Sequence, residues 1–359
     1  MTGGRPLRLG FAGANVERGW ARDAHFPALR ALPGLTVHAV SARTREIADA
    51  AAREFGVARA YADSLALARD PDVDIVVVTV KVPEHRTIVL AALEAGKHLY
   101  CEWPLARDLD EARELAGAAR GAGTHVALGL QGASCGAVRH AARLVREGAI
   151  GTPLNLRVVS STAGWGTTAP PHYAYLQDRR NGATLETIAG GHTLAMVEAI
   201  VGSYRRVGAM ASTLHPRVGL AGSSETVERT CADHLLVHGR HDSGCVSSVE
   251  IVGGQNEPLC FELRGTAGTL RIRGHHPGGF QCGRLEVTTS ADAGPPPPAP
   301  FPELDGAAVN VAELHARLAG DIRSGERTAP DFDLGVKLTR LLDTIADASR
   351  EGRTIAVPQ

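Results

Sequence analysis

The chain has 359 residues, 21% of them charged, and a formal net charge of −1 at pH 7. That length suits two domains better than one core, and the balanced charge provides neither a basic field for a phosphate backbone nor a polybasic run for a membrane surface, so neither nucleic-acid nor membrane partners are supported. Six well-separated cysteines without a Cys-x-x-Cys pair argue against a zinc site and a disulfide framework. With no cleavable apolar leader and no run of the ~20 apolar residues needed to span a bilayer, they point to a soluble, cytoplasmic protein.

In chain order, Leu7–Ala12 reads as a strand, 21–31 as a helix, Leu35–Ser41 as a strand and Arg45–Phe55 as a helix. Residues 75–80 are apolar except Thr79, the pattern of a strand buried on both faces of a parallel sheet. A helix over 84–95, a strand at 98–101, a helix over 110–121 and a strand at 126–130 follow. This alternation predicts a doubly wound α/β domain over 1–130. Beyond it the pattern changes. A helix over 137–147 precedes strand-like runs at 154–160, 206–213, 234–238, 245–252, 261–265, 269–273 and 284–289, which predict a large, mostly antiparallel sheet in a second domain over 131–359. Pro295 to Pro298 mark an extended loop over 294–302. Helices over 308–324 and 334–351 and a short strand at 354–357 close the chain.

Gly10, Gly13 and Gly19 end or follow the first strand and precede the first helix, the context in which glycines let a pyrophosphate approach backbone amides. The spacing is irregular: Asn15 stands at the second glycine of Gly-x-Gly-x-x-Gly, and one residue is added before the third. The turn reads as a dinucleotide loop or as a plain strand-to-helix connection. After the second strand come Ser41, Ala42, Arg43, Thr44 and Arg45 without a carboxylate. An acidic residue there bonds ribose hydroxyls and an arginine accommodates a 2′-phosphate, so NADP(H) is expected over NAD(H); alternatively, the arginines only solvate the first turn of a helix.

Several motifs together resemble the glucose-fructose oxidoreductase, inositol dehydrogenase and rhizopine catabolism (Gfo/Idh/MocA) family. They are Gly10-Phe11-Ala12-Gly13, His25-Phe26-Pro27-Ala28-Leu29, Asp70-Pro71-Asp72-Val73-Asp74, Ala95-Gly96-Lys97-His98, Glu102-x-Pro104 and Gly191-His192. Asn15 with Gly19-Trp20, Lys81-Val82, Glu102-Trp103 and Leu130-Gln131-Gly132 are similar to one branch, that of the fungal repressors of galactose genes and their bacterial relatives, whose yeast-type member binds a dinucleotide without working as an enzyme. The resemblance implies an N-terminal Rossmann domain and a C-terminal α/β domain whose open sheet forms a homo-oligomer, dimer or tetramer. It implies cofactor contacts from Gly13, Ala14, Asn15, Gly19, Trp20, Ser41, Ala42, Arg43, Thr79, Val80, Lys81, His85, Glu102 and Trp103. His85 also reads as positioning the helix after its strand.

In typical members a lysine, an aspartate and a histidine assist proton transfer while hydride moves at nicotinamide C4. Mapped onto this chain, the lysine is Trp103, the aspartate is Ile188 and His192 remains. An indole N–H cannot shuttle protons near neutral pH. Lys81, at the end of an apolar strand, is the candidate substitute on the expectation that desolvation lowers its pKa; an ion pair or a cofactor contact are its other readings. Substrate contacts are expected from Trp103, Gln131, Trp165, Tyr173, Tyr175, Glu186 and Thr187. Against these stand a hinge role for Gln131, loop anchoring for the aromatic residues and turn capping for Glu186 and Thr187.

The histidines at 238, 241, 275 and 276 lack partners at metal-ligand spacing, so no metal is expected. No Gly-x-Ser-x-Gly elbow or Walker loop occurs. The expected function is hydride transfer between a nicotinamide and a sugar or polyhydroxylated metabolite. The alternatives are a dinucleotide-binding sensor that has lost catalysis and a reductase of C=N or C=C bonds.

Overall fold

Leu7–Ala12 (β1) is the centre of a six-stranded sheet because its apolar residues alternate onto two covered faces, with Leu9 and Phe11 fully buried. The computed structural model describes residues 5–291, 297–298 and 300–358, and these divide into two compact units.

In the first unit, β1 pairs in parallel with β2 (Leu35–Ser41) and β4 (Ile75–Val78). β3 (Arg59–Tyr61), β5 (His98–Glu102) and β6 (Val126–Gly129) complete the order β3-β2-β1-β4-β5-β6. All pairings are parallel, and this is the strand order of a dinucleotide-type doubly wound fold. The helices begin and stop where local chemistry dictates. Helix α1 (Phe26–Arg30) continues a π-helical turn, Ala21–His25. The N-terminus of α2 (Arg45–Phe55) is capped by the Thr44 hydroxyl, which accepts the Ile47 N–H, and left-handed Gly56 ends the helix. Helix α3 (Ser64–Ala68) packs on β1, and a Cβ at Gly10 would meet Leu67 Cδ2 at 2.8 Å. Helix α4 (Val82–Glu94) carries a proline in its first turn, and α5 (Leu109–Ala122) is capped by the Asp108 carboxylate.

Two features of this unit differ from the sequence expectations. β4 stops at Val78 rather than at 80: the Thr79 N–H makes the last bond to the Ala12 carbonyl at the end of β1, and the Thr79 hydroxyl donates to the same oxygen. Residues 301–336, expected in the second domain, lie with the first sheet. There the Leu128 N–H donates to the Pro330 carbonyl at 2.7 Å, and the Arg327 guanidinium donates to the Gly123 and Thr124 carbonyls.

The second unit holds an eight-stranded sheet in the order β16-β15-β14-β7-β13-β12-β9-β17. Its strands are β7 (Pro153–Thr162), β9 (Tyr204–Ser212), β12 (His234–His241), β13 (Val246–Gly253), β14 (Leu259–Gly265), β15 (Thr269–Gly274), β16 (Leu285–Thr289) and β17 (Ile355–Ala356). Every pairing is antiparallel except β13 with β7. Alternation along the strands buries Leu156, Val158, Phe261, Leu263, Val249, Ile251, Leu235 and Val237. On the other side Leu236 pairs with Met210 in register, and both are exposed, at 39% and 60%. A small sheet of β8 (Thr168–Ala169), β10 (Arg217–Leu220) and β11 (Thr226–Glu228) lies beside the loops. The short helix α6 (Gln131–Ser134) leads to α7 (Gly136–Arg146), while α8 (Gly191–Val201) is buried almost all round. Helices α9 (Ala307–Ser324) and α10 (Phe332–Glu351) close the chain, and the division between units falls within α10. The extended loop expected over 294–302 lies partly outside the described residues.

Candidate functional site

The strand ends at Ala12, Ser41, Val78 and Cys101 are aligned by register across β2, β1, β4 and β5, so the segments following them share the C-terminal edge of the first sheet. That edge is where ligands of doubly wound sheets bind, and it carries the expected cofactor contacts.

Gly13 has φ +104°, and a Cβ there would lie 2.9 Å from Val80 Cγ1 and 3.1 Å from the Thr79 backbone. Only glycine admits this turn against the end of β4. Gly19 also has positive φ, at +106°. The Gly13 and Ala14 amides both donate to the Ser41 carbonyl, and the Asn15 side chain accepts the Glu17 N–H at 2.8 Å. These amides are therefore occupied. Those of Asn15 and Val16 make no backbone hydrogen bond among the described residues, which makes them the candidate donors of this turn. The Ser41 hydroxyl points inward, 2.9 Å from the Ser64 hydroxyl, so this residue serves the site through its carbonyl. Ala42 is pinned by its N–H to the Tyr61 carbonyl. Arg45 is committed to Asp49, whereas Arg43 is exposed and makes no hydrogen bond or ion pair among the described residues.

Further along the edge, buried His85 bridges the Val80 and Leu105 carbonyls, at 3.1 and 3.2 Å. Burial lowers its pKa, and because the carbonyls face different ring nitrogens the single N–H of the neutral ring donates to one of the two. Lys81 occupies the N-cap position of α4 and is exposed, so the desolvation expected of it is absent. Trp103 is buried beside Glu102. The Glu102 carboxyl, 13% exposed, is pushed up to about 8 by burial, against the opposing effects of the Trp20 indole, His85 and the Tyr100 hydroxyl. The sequence did not disclose its partner His25, nor His315, which bonds His25 in turn. His25 sat in the His-Phe-Pro motif without a role, and nothing distinguished His315 on an apolar helix.

The remaining candidates belong to the second unit, except Gln131, which is buried at the start of α6. His192 lies in the first turn of α8, behind a π-helical turn, Glu186–Gly190. A π turn inserts a residue into the helical register and so changes which side chains share a face. His192 is buried, its pKa is pushed down to about 3, and its Nδ1 has no hydrogen-bond partner among the described residues. Glu186 accepts the Ala232 N–H through Oε1 and leaves Oε2 buried without a partner. The Thr187 hydroxyl accepts the Thr184 N–H and donates to the Gly182 carbonyl, closing the turn. Trp165, at φ +59°, donates its indole N–H to the Leu176 carbonyl and anchors the loop. Tyr175 is half-buried and its phenol is pushed up to about 12 by burial, while Tyr173 is exposed.

His38, Asp70 and Asp72 gather their ligand atoms within 4.8 Å of one another, but both aspartates already hold the guanidinium of Arg59, and Asp72 that of Arg8 as well. No helix among the described residues is long and apolar enough to cross a membrane.

Residues 7–130 match the Gfo/Idh/MocA oxidoreductase family with its NAD-binding Rossmann fold, and residues 136–274 match the C-terminal domain of Gal80p. The galactose/lactose metabolism regulatory protein GAL80 of Kluyveromyces lactis is 32% identical over 294 residues, which cover 75% of this chain and 64% of that protein's length. D-apiose dehydrogenase of Paraburkholderia graminis is 28% identical over 360 residues, 96% of this chain and 89% of that one. The solved structure of levoglucosan dehydrogenase with NADH and L-sorbose is similar with a TM-score of 0.84 at 25% identity, covering 98% of this chain and 99% of that one.

Proposed function

We propose that this chain, which belongs to the Gfo/Idh/MocA oxidoreductase family, transfers hydride between NADP(H) and a carbinol or carbonyl carbon of a sugar or polyhydroxylated metabolite. The observation that carries this reading is the glycine turn pressed against Val80 at the C-terminal edge of the sheet, with the Asn15 and Val16 amides as diphosphate donors. Exposed, uncommitted Arg43 favours a 2′-phosphate and hence NADP(H) over NAD(H). Bound there, the dinucleotide supplies the hydride at its nicotinamide ring. This chain's residues bind and orient it: Thr79 and His85 fix the end of β4, and the Trp103 indole offers a flat apolar face. His192, neutral because it is buried, serves as a hydrogen-bonding partner for the reacting oxygen through its uncommitted Nδ1. Lys81, exposed at the N-cap of α4, serves as an electrostatic stabiliser of developing alkoxide charge.

A second reading, a dinucleotide-dependent sensor, is favoured by Trp103 and Ile188 at the family's lysine and aspartate positions and by the resemblance to GAL80. One experiment separates the two. Initial rates of NADPH and NADH oxidation with sugars, keto compounds, imines and enones, alongside dinucleotide titration, give turnover for an enzyme. Tight binding without turnover across the panel marks a sensor, and no binding of either dinucleotide removes both. The in-register pair Leu236 and Met210 supports a homo-oligomer through the open sheet, with sedimentation as its check.

A further inference from the structure

Three side chains far apart in sequence meet inside the first unit, and the dinucleotide reading assigns a role to none of their shared hydrogen bonds. His25 Nε2 lies 2.8 Å from Glu102 Oε1, and His25 Nδ1 lies 2.8 Å from His315 Nε2. Both rings are buried, and His315 Nδ1 has no hydrogen-bond partner among the described residues. Phe11 meets His25 edge-on at 5.4 Å, and Tyr100 lies against His315 at 4.6 Å with 30° between planes, so neither ring is free to turn over. Gly129 makes room for the carboxyl: a Cβ there would stand 2.7 Å from Glu102 Oε2.

A neutral imidazole carries one N–H, which restricts how this row can be protonated. With Glu102 as a carboxylate, His25 donates from Nε2, His315 donates from Nε2 to His25 Nδ1, and His315 Nδ1 is a bare lone pair. With the proton on Glu102 Oε1, each donor reverses. The carboxyl donates to His25 Nε2, His25 donates from Nδ1 to His315 Nε2, and His315 carries its hydrogen on Nδ1. The two arrangements differ by one proton and by the tautomer of both rings.

We propose that Glu102, His25 and His315 form a buried proton relay that couples the charge of the carboxyl at the cofactor edge to the tautomers of both imidazoles. A hydronium ion of the solvent gives its proton to His315 Nδ1 and leaves as water, the His315 Nε2 proton passes to His25 Nδ1, and the His25 Nε2 proton passes to Glu102 Oε1. The net change is carboxylate to carboxylic acid, with both rings neutral before and after and no ring rotated. Burial favours this passage, since it holds His25 down at about 3 and His315 well below the ordinary range, which disfavours an imidazolium at either ring. The other titratable groups facing the carboxyl are Tyr100 and His85; Cys101 precedes it on β5, with its thiol pushed well up by burial. Both histidines are positioning residues that act through Glu102. Use of the delivered proton in turnover rests on the oxidoreductase reading, in which it replaces the one lost with the family's lysine, but the relay itself requires no substrate.

The test follows the ring nitrogens of the full-length protein, labelled with 15N-histidine and free of dinucleotide, from pH 5 to 9 by NMR. Coincident exchange of Nε2–H for Nδ1–H at His25 and His315 as the pH falls, with neither ring becoming cationic, is the expected result. Glu102→Gln should hold both rings in one tautomer at every pH, and His315→Phe should leave His25 fixed on Nε2–H. Circular dichroism and thermal melting establish that each variant is folded. Constant tautomers in the wild type, titration to imidazolium, or an unchanged His25 response in His315→Phe would each overturn the relay. A dinucleotide titration run in parallel decides the oxidoreductase reading separately, since loss of binding there leaves the tautomer result standing.

Discussion

His25 and His192 are both buried, His25 ends one π-helical turn while His192 lies just beyond another, and burial pushes both down to about 3. They differ in connection. His25 has both ring nitrogens within 2.8 Å of a side-chain partner, whereas His192 leaves Nδ1 without one among the described residues. Burial alone therefore makes a histidine neutral, and its hydrogen-bond partners decide whether it belongs to the scaffold or remains open to a ligand. A lowered pKa is shared by the two cases and distinguishes nothing.

The largest effect that sharpens this contrast concerns turnover. His192→Ala is expected to reduce NADPH-dependent turnover about 10²–10³-fold while changing NADPH affinity less than about threefold, measured by initial rates and fluorescence titration. Equal loss of both would assign His192 to binding. Next comes stability. His25→Leu leaves the Glu102 and His315 groups unpaired in the interior and should cost about 2–4 kcal/mol in urea unfolding, whereas His192→Leu should stay within about 1 kcal/mol. Similar losses for both would abolish the distinction.

The pH dependence should be of the same order. The Glu102 carboxyl is raised from 4.5 to about 8 in the folded chain, so the unfolded chain releases this proton first. The stability it contributes is complete below about pH 4.5, declines as pH rises and is lost by about pH 8. Glu102→Gln should remove that decline, making the variant more stable than the wild type at pH 8 by a few kcal/mol, and parallel melting curves from pH 5 to 9 would contradict it. The smallest effect is on cofactor choice. Arg43→Ala should weaken NADPH about tenfold and NADH hardly at all, and equal weakening would return this arginine to the solvated face of its turn.

Much of the first unit could be read from sequence because parallel strands buried on two faces appear as continuous apolar runs, as in β4. The glycine turn was legible for a related reason: Gly13 stands where β1 meets β4, and no other residue type fits. The His25–His315 pair was not, since the two positions lie 290 residues apart and no local pattern announces the contact. Helix α8 escaped because an element apolar on all sides has no face to betray its period. Lys81 misled for a different reason: a residue ending an apolar strand can still turn into solvent when it becomes the cap of the next helix.

The lone parallel pairing in the second sheet bears on how the chain is made. β7 ends at Thr162, yet both of its neighbours, β13 and β14, begin beyond residue 245. During synthesis this strand must therefore wait, with its apolar side unpaired, until more than 80 further residues have followed. Long-range pairing of that kind folds slowly and exposes sticky intermediates, so the nascent second unit is where a holding chaperone would find its binding segment.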